Sequence, residues 1–208
     1  MEEKYRKILV ELIFLGLTPA FAATINTVSA VSMEFGIIFI MVMSTVTMRL
    51  LRRFVTEENK YFVTLIVTTL YSSIFQMVTE AYFIDAYKNI GMYIALCSIN
   101  MMLFGVAQGA TGKEEKHMVA KVLLFSLIFG FVIYFVGSMR EIMGVGTYWG
   151  QVKDIFGEVK FANIPVKYFS NHKVLILQKA PGAYIVGAIA TAIVAYVLKK
   201  TAKKKEAK

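Results

Sequence analysis

Cysteine is almost absent from this 208-residue sequence, in which Cys97 is the only one. A single cysteine excludes an internal disulfide, and it excludes a metal site whose ligands are all cysteines of this chain. Charge is also scarce, at 18% of residues against about 25% in soluble domains, while 57% of residues are hydrophobic. These two proportions exclude an ordinary soluble domain and indicate an integral membrane protein.

The net charge of +9 does not indicate nucleic-acid binding. Basic residues cluster at the ends of apolar runs and in the C-terminal tail, and no aromatic platform is interleaved with them. This placement is typical of cytoplasmic loops and of segments attracted to anionic lipid. We therefore expect the lipid bilayer as a partner and no nucleic acid.

Apolar runs separated by charged residues predict six transmembrane helices. The predicted spans are residues 8–24, 35–51, 61–82, 92–110, 119–139 and 181–198. The predicted fold class is therefore an all-α integral membrane protein. A single membrane domain covers residues 1–208, with an outer loop at about 150–180.

Lysine and arginine predict the orientation of the spans. With the N-terminus inside the cell, 16 of the 23 basic residues lie on the cytoplasmic side, and most of the others lie on the long outer loop. Long loops cross membranes with little regard for charge, so the bias is stronger than the ratio. Both termini are therefore expected in the cytoplasm.

The first and fourth spans contain residues that interrupt a helix. Pro19 removes a backbone donor near the end of the first span. The fourth span carries small or polar residues, namely Ser98, Asn100, Gly105 and Gln108. Three spans per half give two inverted halves, about 1–85 and 86–208, and matching broken helices then favour a functional site near the bilayer midplane. Close packing of helices through small residues is the alternative interpretation.

Arg140 and Glu141 end a long apolar run. Adjacent helix positions diverge by about 100°, so each side chain is expected to contact a different helix or subunit. One interpretation is that they anchor the outer end of the fifth span, with Arg140 extending to the interface. The other is that they line an ion or electron route together with Asn100 and Glu80. For Glu80, a solvated position at the interface is the alternative.

Four motifs occur in order along the chain. They are Leu-Gly-Leu-Thr-Pro at 15–19, Asn-Met-Met-Leu-Phe-Gly-Val-Ala at 100–107, Gly-Ser-Met-Arg-Glu-Ile-Met-Gly-Val-Gly-Thr at 137–147 and Pro-Gly-Ala at 181–183. Together they resemble the small six-helix membrane subunits of the Rnf and Nqr electron-transport complexes. The third motif resembles the Arg-Glu-Ile-Leu-Gly-x-Gly-Thr signature of the RnfE/NqrD branch of that family.

The resemblance implies a membrane subunit of an ion-translocating complex of the ferredoxin/NADH oxidoreductase type in a prokaryotic inner membrane. Such a subunit is expected to be non-catalytic on its own. The implied partners are an inverted homologous subunit of the RnfA/NqrE type, and subunits that carry flavin and iron-sulfur groups. The alternatives are a substrate-binding membrane subunit of a vitamin transporter and a purely structural membrane scaffold.

The resemblance also implies a [2Fe-2S] cluster, which the family holds between two paired subunits with one cysteine from each broken helix. The corresponding positions here are Thr18 and Met101. A hydroxyl group and a thioether are poor substitutes for the thiolates that such clusters need. Cys97 lies one helical turn before Met101 and leaves the Thr18 position without a thiol. No cofactor, metal ligand or catalytic residue is therefore expected in this chain.

Overall fold

The computed structural model of the protein describes residues 20–98, 118–150, 152, 164–166, 168, 173–179, 181–189, 192 and 196. Its main helices are α1 (Thr27–Leu50), α2 (Lys60–Tyr82), α3 (Ile84–Cys97) and α4 (Met118–Gly144). Residues 20–23 and 181–189 are also helical. Two 3-10 turns, Leu51–Arg53 and Leu175–Gln178, follow α1 and precede the helix at 181–189. The short strands β1 (Thr147–Tyr148) and β2 (Ile164–Pro165) pair antiparallel, with Thr147 opposite Pro165.

Within the described residues, three helices are long and apolar enough to cross a membrane. They cover residues 27–53, 60–82 and 118–144 and correspond to the predicted second, third and fifth spans. The predicted first, fourth and sixth spans each lie partly outside the described residues. The prediction of a helical membrane protein is confirmed, and the complete set of six spans stays a prediction.

Two predicted boundaries were wrong because a charged residue was read as the end of a span. Helix α1 begins at Thr27 rather than at residue 35, because Asn26 caps it by accepting a hydrogen bond from the amide of Ser29 at 2.7 Å. Glu34 consequently lies inside the helix. Helix α3 begins at Ile84 rather than at residue 92.

The end of α4 also differs from the prediction. The helix continues past residue 139 to Gly144. Gly146 follows in the left-handed region, with φ of 80°, and its amide donates to the carbonyl of Ile142 at 3.1 Å. This is a common helix termination, and glycine adopts the required φ without a steric penalty. Arg140 and Glu141 therefore belong to the last turns of the helix.

The core is centred on the contact between α1 and α4. Met33 and Ile37 of α1 and Ile133 of α4 are almost fully buried there. A Cβ atom built on Gly137 of α4 would lie 2.6 Å from Cβ of Ala30 in α1. Small residues at this crossing let the two backbones approach closely, as is usual between membrane helices. This close approach places the last turns of α4 beside the first turn of α1.

Helix α3 ends beside hydroxyl groups of α2. Ser72 Oγ donates to the carbonyl oxygen of Ile94 at 2.6 Å, and Thr68 Oγ1 donates to that of Ser98 at 3.1 Å. The last carbonyl groups of a helix have no partner within the helix, and leaving them bare in an apolar interior is costly. The hydroxyl groups of α2 therefore stabilise the end of the described part of the fourth span.

Candidate functional site

Arg140 and Glu141 are both buried, with exposed fractions of 1% and 2%. Unpaired charges in this position would destabilise the protein strongly, so each must be compensated by hydrogen bonds or opposite charge. The expected extension of Arg140 to the membrane interface is wrong, since its guanidinium group lies inside the protein. Residues from two separate parts of the chain, 21–24 and 177–179, surround it.

The guanidinium group of Arg140 donates to five main-chain carbonyl oxygens. Nε donates to Leu177 at 2.8 Å, Nη1 to Phe21 at 3.3 Å and to Thr24, and Nη2 to Gln178 at 3.2 Å and to Lys179 at 3.3 Å. An arginine has five N–H donors in a fixed planar arrangement. The number of carbonyl acceptors therefore matches the number of donors.

These carbonyl groups lie at two helix ends. Phe21 and Thr24 stand at the C-terminal end of the helical segment 20–23, and Leu177 to Lys179 stand at the C-terminal end of the 3-10 turn. Carbonyl groups at such ends carry partial negative charge and have room for further donors; here the carbonyl of Phe21 also accepts from the amide of Thr24, and that of Lys179 from the amide of Gly182. A buried cation here compensates both ends at once, so Arg140 joins the start of the described chain to the segment before the helix at 181–189.

The carboxylate of Glu141 binds main-chain amides instead. Oε2 accepts from the amide of Thr27 at 2.8 Å, and Oε1 accepts from the amide of Gly150 at 2.6 Å. Thr27 is the first residue of α1, and the N-terminal end of a helix carries partial positive charge. The carboxylate therefore stabilises the start of α1 and holds the turn after β1 against α4.

Arg140 and Glu141 thus bind opposite sides of the same chain interruption. The helical segment 20–23 ends before residues 24–26, and α1 starts immediately after them. Arg140 contacts the negative end before this break, and Glu141 contacts the positive end after it. We call these two side chains and the backbone groups that they bind the break clamp. Through these hydrogen bonds, the break clamp fixes the position of the main chain on both sides of the interruption.

The other predicted site residues lie elsewhere. Glu80 is exposed near the end of α2 and is not a member of the break clamp. Cys97 is fully buried in the last turn of α3. Thr18, Asn100 and Met101 lie outside the described residues. Of the three described residues that were predicted for an ion or electron route, the structure brings together Arg140 and Glu141 and places Glu80 elsewhere.

The residues of the predicted outer loop that Arg140 binds were not identified from the sequence. They contribute main-chain carbonyl groups, which no side-chain pattern reveals. One indirect signal was present in the Pro-Gly-Ala motif, because a side chain on Gly182 would overlap the backbone of Leu177. Glycine at this position lets the following helix begin directly against the 3-10 turn.

Glu34 was also missed, because it was taken to lie between two spans. It is half-buried within α1, and its side chain lies against Gly130 of α4. It is thus an acidic residue on a helix that is long and apolar enough to cross the membrane.

The donors of this chain do not fit the [2Fe-2S] cluster that the resemblance implies. A cluster of this type needs four thiolates, and two paired subunits would have to supply two each. This sequence contains one cysteine. In the part of the chain that the structure describes, no three side chains of histidine, cysteine, aspartate or glutamate come close enough to hold a metal ion.

The apolar helices and the buried break clamp define a multi-helix integral membrane protein. Comparison with known families identifies it further: the chain belongs to the Rnf-Nqr subunit family of membrane proteins, whose family model matches residues 2–202. The resemblance drawn from its four motifs is therefore confirmed at the level of the family.

Several relatives are named as the E subunit of an ion-translocating oxidoreductase complex. The protein of this name from Pasteurella multocida strain Pm70 is 26% identical over 175 residues, which cover 82% of this chain and 77% of the relative. The Haemophilus influenzae strain PittEE protein is 25% identical over 175 residues, with coverages of 82% and 73%. The Shewanella amazonensis protein is 25% identical over 172 residues, with coverages of 82% and 74%.

Proposed function

We propose that this chain is the RnfE-type membrane subunit of an ion-translocating oxidoreductase complex. The observation that carries the proposal is the family match over residues 2–202, joined with E-subunit relatives that align along most of their length. The break clamp supports it, because its two charges lie in the motif that resembles the RnfE/NqrD branch. The chain is then a membrane-embedded part of the complex, and the break clamp fixes the position of its main chain.

The proposed architecture has six transmembrane helices in two inverted halves, with both termini in the cytoplasm. The directions of the described helices support this arrangement. The first turn of α1 lies beside the last turns of α4, so these two helices are antiparallel. Arg52 and Arg53 follow the opposite end of α1, where the positive-inside rule expects the cytoplasm.

The proposed partners are an inverted homologous membrane subunit and subunits that carry flavin and iron-sulfur groups. Exposed apolar side chains on α2 and α4 support contact with lipid or with such helices; they include Phe62, Ile66, Met77, Leu124 and Phe131. The chain is proposed to hold no cluster of its own, because one thiol does not supply half of the four ligands.

Purification tests the proposed function. An affinity-tagged chain, extracted in a mild detergent from its native membrane, is expected to bring down a homologous membrane subunit and flavin-bearing subunits. Mass spectrometry identifies the former and flavin fluorescence detects the latter. Isolation of the chain alone would contradict the proposal. Isolation of the chain bound to a vitamin would also contradict it and would favour the transporter alternative.

A further inference from the structure

Glu34 places a carboxyl group inside a membrane-length helix. It lies seven residues after the start of α1, which corresponds to about 10 Å along the helix axis. The side chain is half-buried, and its neighbours Met33 and Ile37 belong to the core. Acidic residues within transmembrane helices are rare, and they usually take part in ion or proton pathways.

Gly130 locates this carboxyl group within the membrane. A Cβ atom built on Gly130 would overlap the carboxyl group of Glu34. Gly130 lies about 18 Å along α4 from Met118 and about 21 Å from Gly144, close to the middle of the helix. A hydrocarbon core is about 30 Å thick, so a carboxyl group beside the middle of α4 and about 10 Å along α1 lies within it. The missing side chain at Gly130 provides the space that it occupies.

Among the described residues, the elements packed around α1 carry the following charged and titratable groups. They are Lys121, Tyr134, Arg140 and Glu141 on α4, Lys60, Tyr61, Tyr71, Glu80 and Tyr82 on α2, Asp85, Tyr87, Lys88, Tyr93 and Cys97 on α3, Arg52 and Arg53 on the 3-10 turn after α1, and Arg49 on α1 itself. Among these described groups, none forms a hydrogen bond or ion pair with Glu34. The carboxyl group therefore has no protein cation to neutralise it within the described structure.

We propose that Glu34 is a proton-binding site in the membrane core. A carboxylate in an apolar environment without a cationic partner is unfavourable, and protonation of one oxygen removes the charge. For a multivalent metal ion, the described residues offer no group of three acidic, histidine or cysteine ligands. The proton comes from water and returns to water, so no other reactant is required. A role for this site in ion translocation rests on the proposed function.

Dicyclohexylcarbodiimide tests the site, because it reacts with protonated carboxyl groups in apolar surroundings. The purified complex in detergent is treated with the reagent, and peptides are analysed by mass spectrometry. The expected result is an adduct on Glu34 that is several-fold more abundant than any adduct on the exposed Glu80. The adduct should decrease as pH rises, and it should be absent in Glu34→Gln.

Three results would overturn the inference. They are no adduct on Glu34, labelling equal to that of Glu80, and protection of Glu34 by Na⁺ at constant pH, which would mean that the carboxylate binds a metal ion. Gly130→Ala gives a second variant, because an added methyl group must displace the carboxyl group. A several-fold change in the labelling of Glu34 is expected, and unchanged labelling would contradict the proposed packing.

The test separates this inference from the proposed function. Glu34→Gln should leave co-purification with the partner subunits unchanged and lower redox-driven proton transport several-fold. Unchanged transport in an intact complex would overturn the translocation role of Glu34 and leave the proposed function standing. Failure of the wild-type chain to purify with any partner subunit would overturn the proposed function, whereas pH-dependent labelling of Glu34 would still support the proton site.

Discussion

Replacement of Arg140 by methionine should destabilise the protein strongly. Methionine keeps a similar length and removes all five hydrogen bonds to the carbonyl oxygens of Phe21, Thr24, Leu177, Gln178 and Lys179. Charge-assisted hydrogen bonds contribute about 1.5–3 kcal/mol each, but bonds to one group do not add fully. Because Arg140→Met removes the charge itself and leaves neutral carbonyl groups behind, we take a total of about 3–5 kcal/mol, which is less than the sum of five such bonds.

The expected loss corresponds to a clear thermal shift. For a chain of about 200 residues, 1 kcal/mol lowers the midpoint of unfolding by about 2–4 °C, so Arg140→Met should lower it by about 6–20 °C. Thermal unfolding in detergent, followed by circular dichroism, measures this shift. Arg140→Lys keeps the charge but loses the planar set of donors, so its midpoint should lie between those of Arg140→Met and the wild type.

Lys88→Met provides the matched control. Lys88 pairs with Asp85 at 2.8 Å on the surface of α3, and both side chains are more than half exposed. Exposed pairs contribute about 0–1 kcal/mol, so this substitution should lower the midpoint by no more than about 4 °C. If Arg140→Met falls within the range of Lys88→Met, Arg140 does not hold the chain ends as described.

Two further substitutions test neighbouring contacts. Glu141→Gln keeps the shape of the side chain but places its NH2 group against the main-chain amide of Thr27 or of Gly150, which is also a donor. A loss of about 1.5–3 kcal/mol in the free energy of unfolding is therefore expected in the same assay. An unchanged midpoint would contradict the role of Glu141. Ser72→Ala leaves the carbonyl group of Ile94 without its hydroxyl donor and should cost about 1–3 kcal/mol, whereas Ser73→Ala, at the exposed adjacent position, should have little effect. Equal midpoints for the two serine variants would mean that the contact with α3 contributes nothing.

The sequence predicted the helical membrane class well because that class depends on composition and on the length of apolar runs. The predicted third span, 61–82, agrees with α2 within one residue at its start. The predicted span boundaries were wrong where a charged residue lies within a helix. Asp85 and Lys88 were read as a loop, yet they form an ion pair one turn apart on α3.

The break clamp could be predicted only in part. Two charges at the end of a long apolar run indicated Arg140 and Glu141 as candidate site residues. Helix geometry correctly predicted that their side chains contact different segments. Their partners are main-chain groups. Two of those that Arg140 binds, the carbonyl groups of Thr24 and Phe21, lie 116 and 119 positions away along the chain. Every residue has such groups, so no sequence pattern distinguishes the ones that bind. Glu34 was missed because it was taken to lie between two spans, and its contact depends on the absence of a side chain at the distant Gly130.

The central claim, that this chain is a subunit of an ion-translocating oxidoreductase complex, is tested most directly by transport in membrane vesicles. Vesicles from cells that lack this chain are compared with vesicles in which it has been restored, using NADH or reduced ferredoxin to drive electron transfer. We predict that electron-transfer-driven cation accumulation is lost without the chain and returns when it is restored. Equal accumulation in both sets of vesicles would contradict the account.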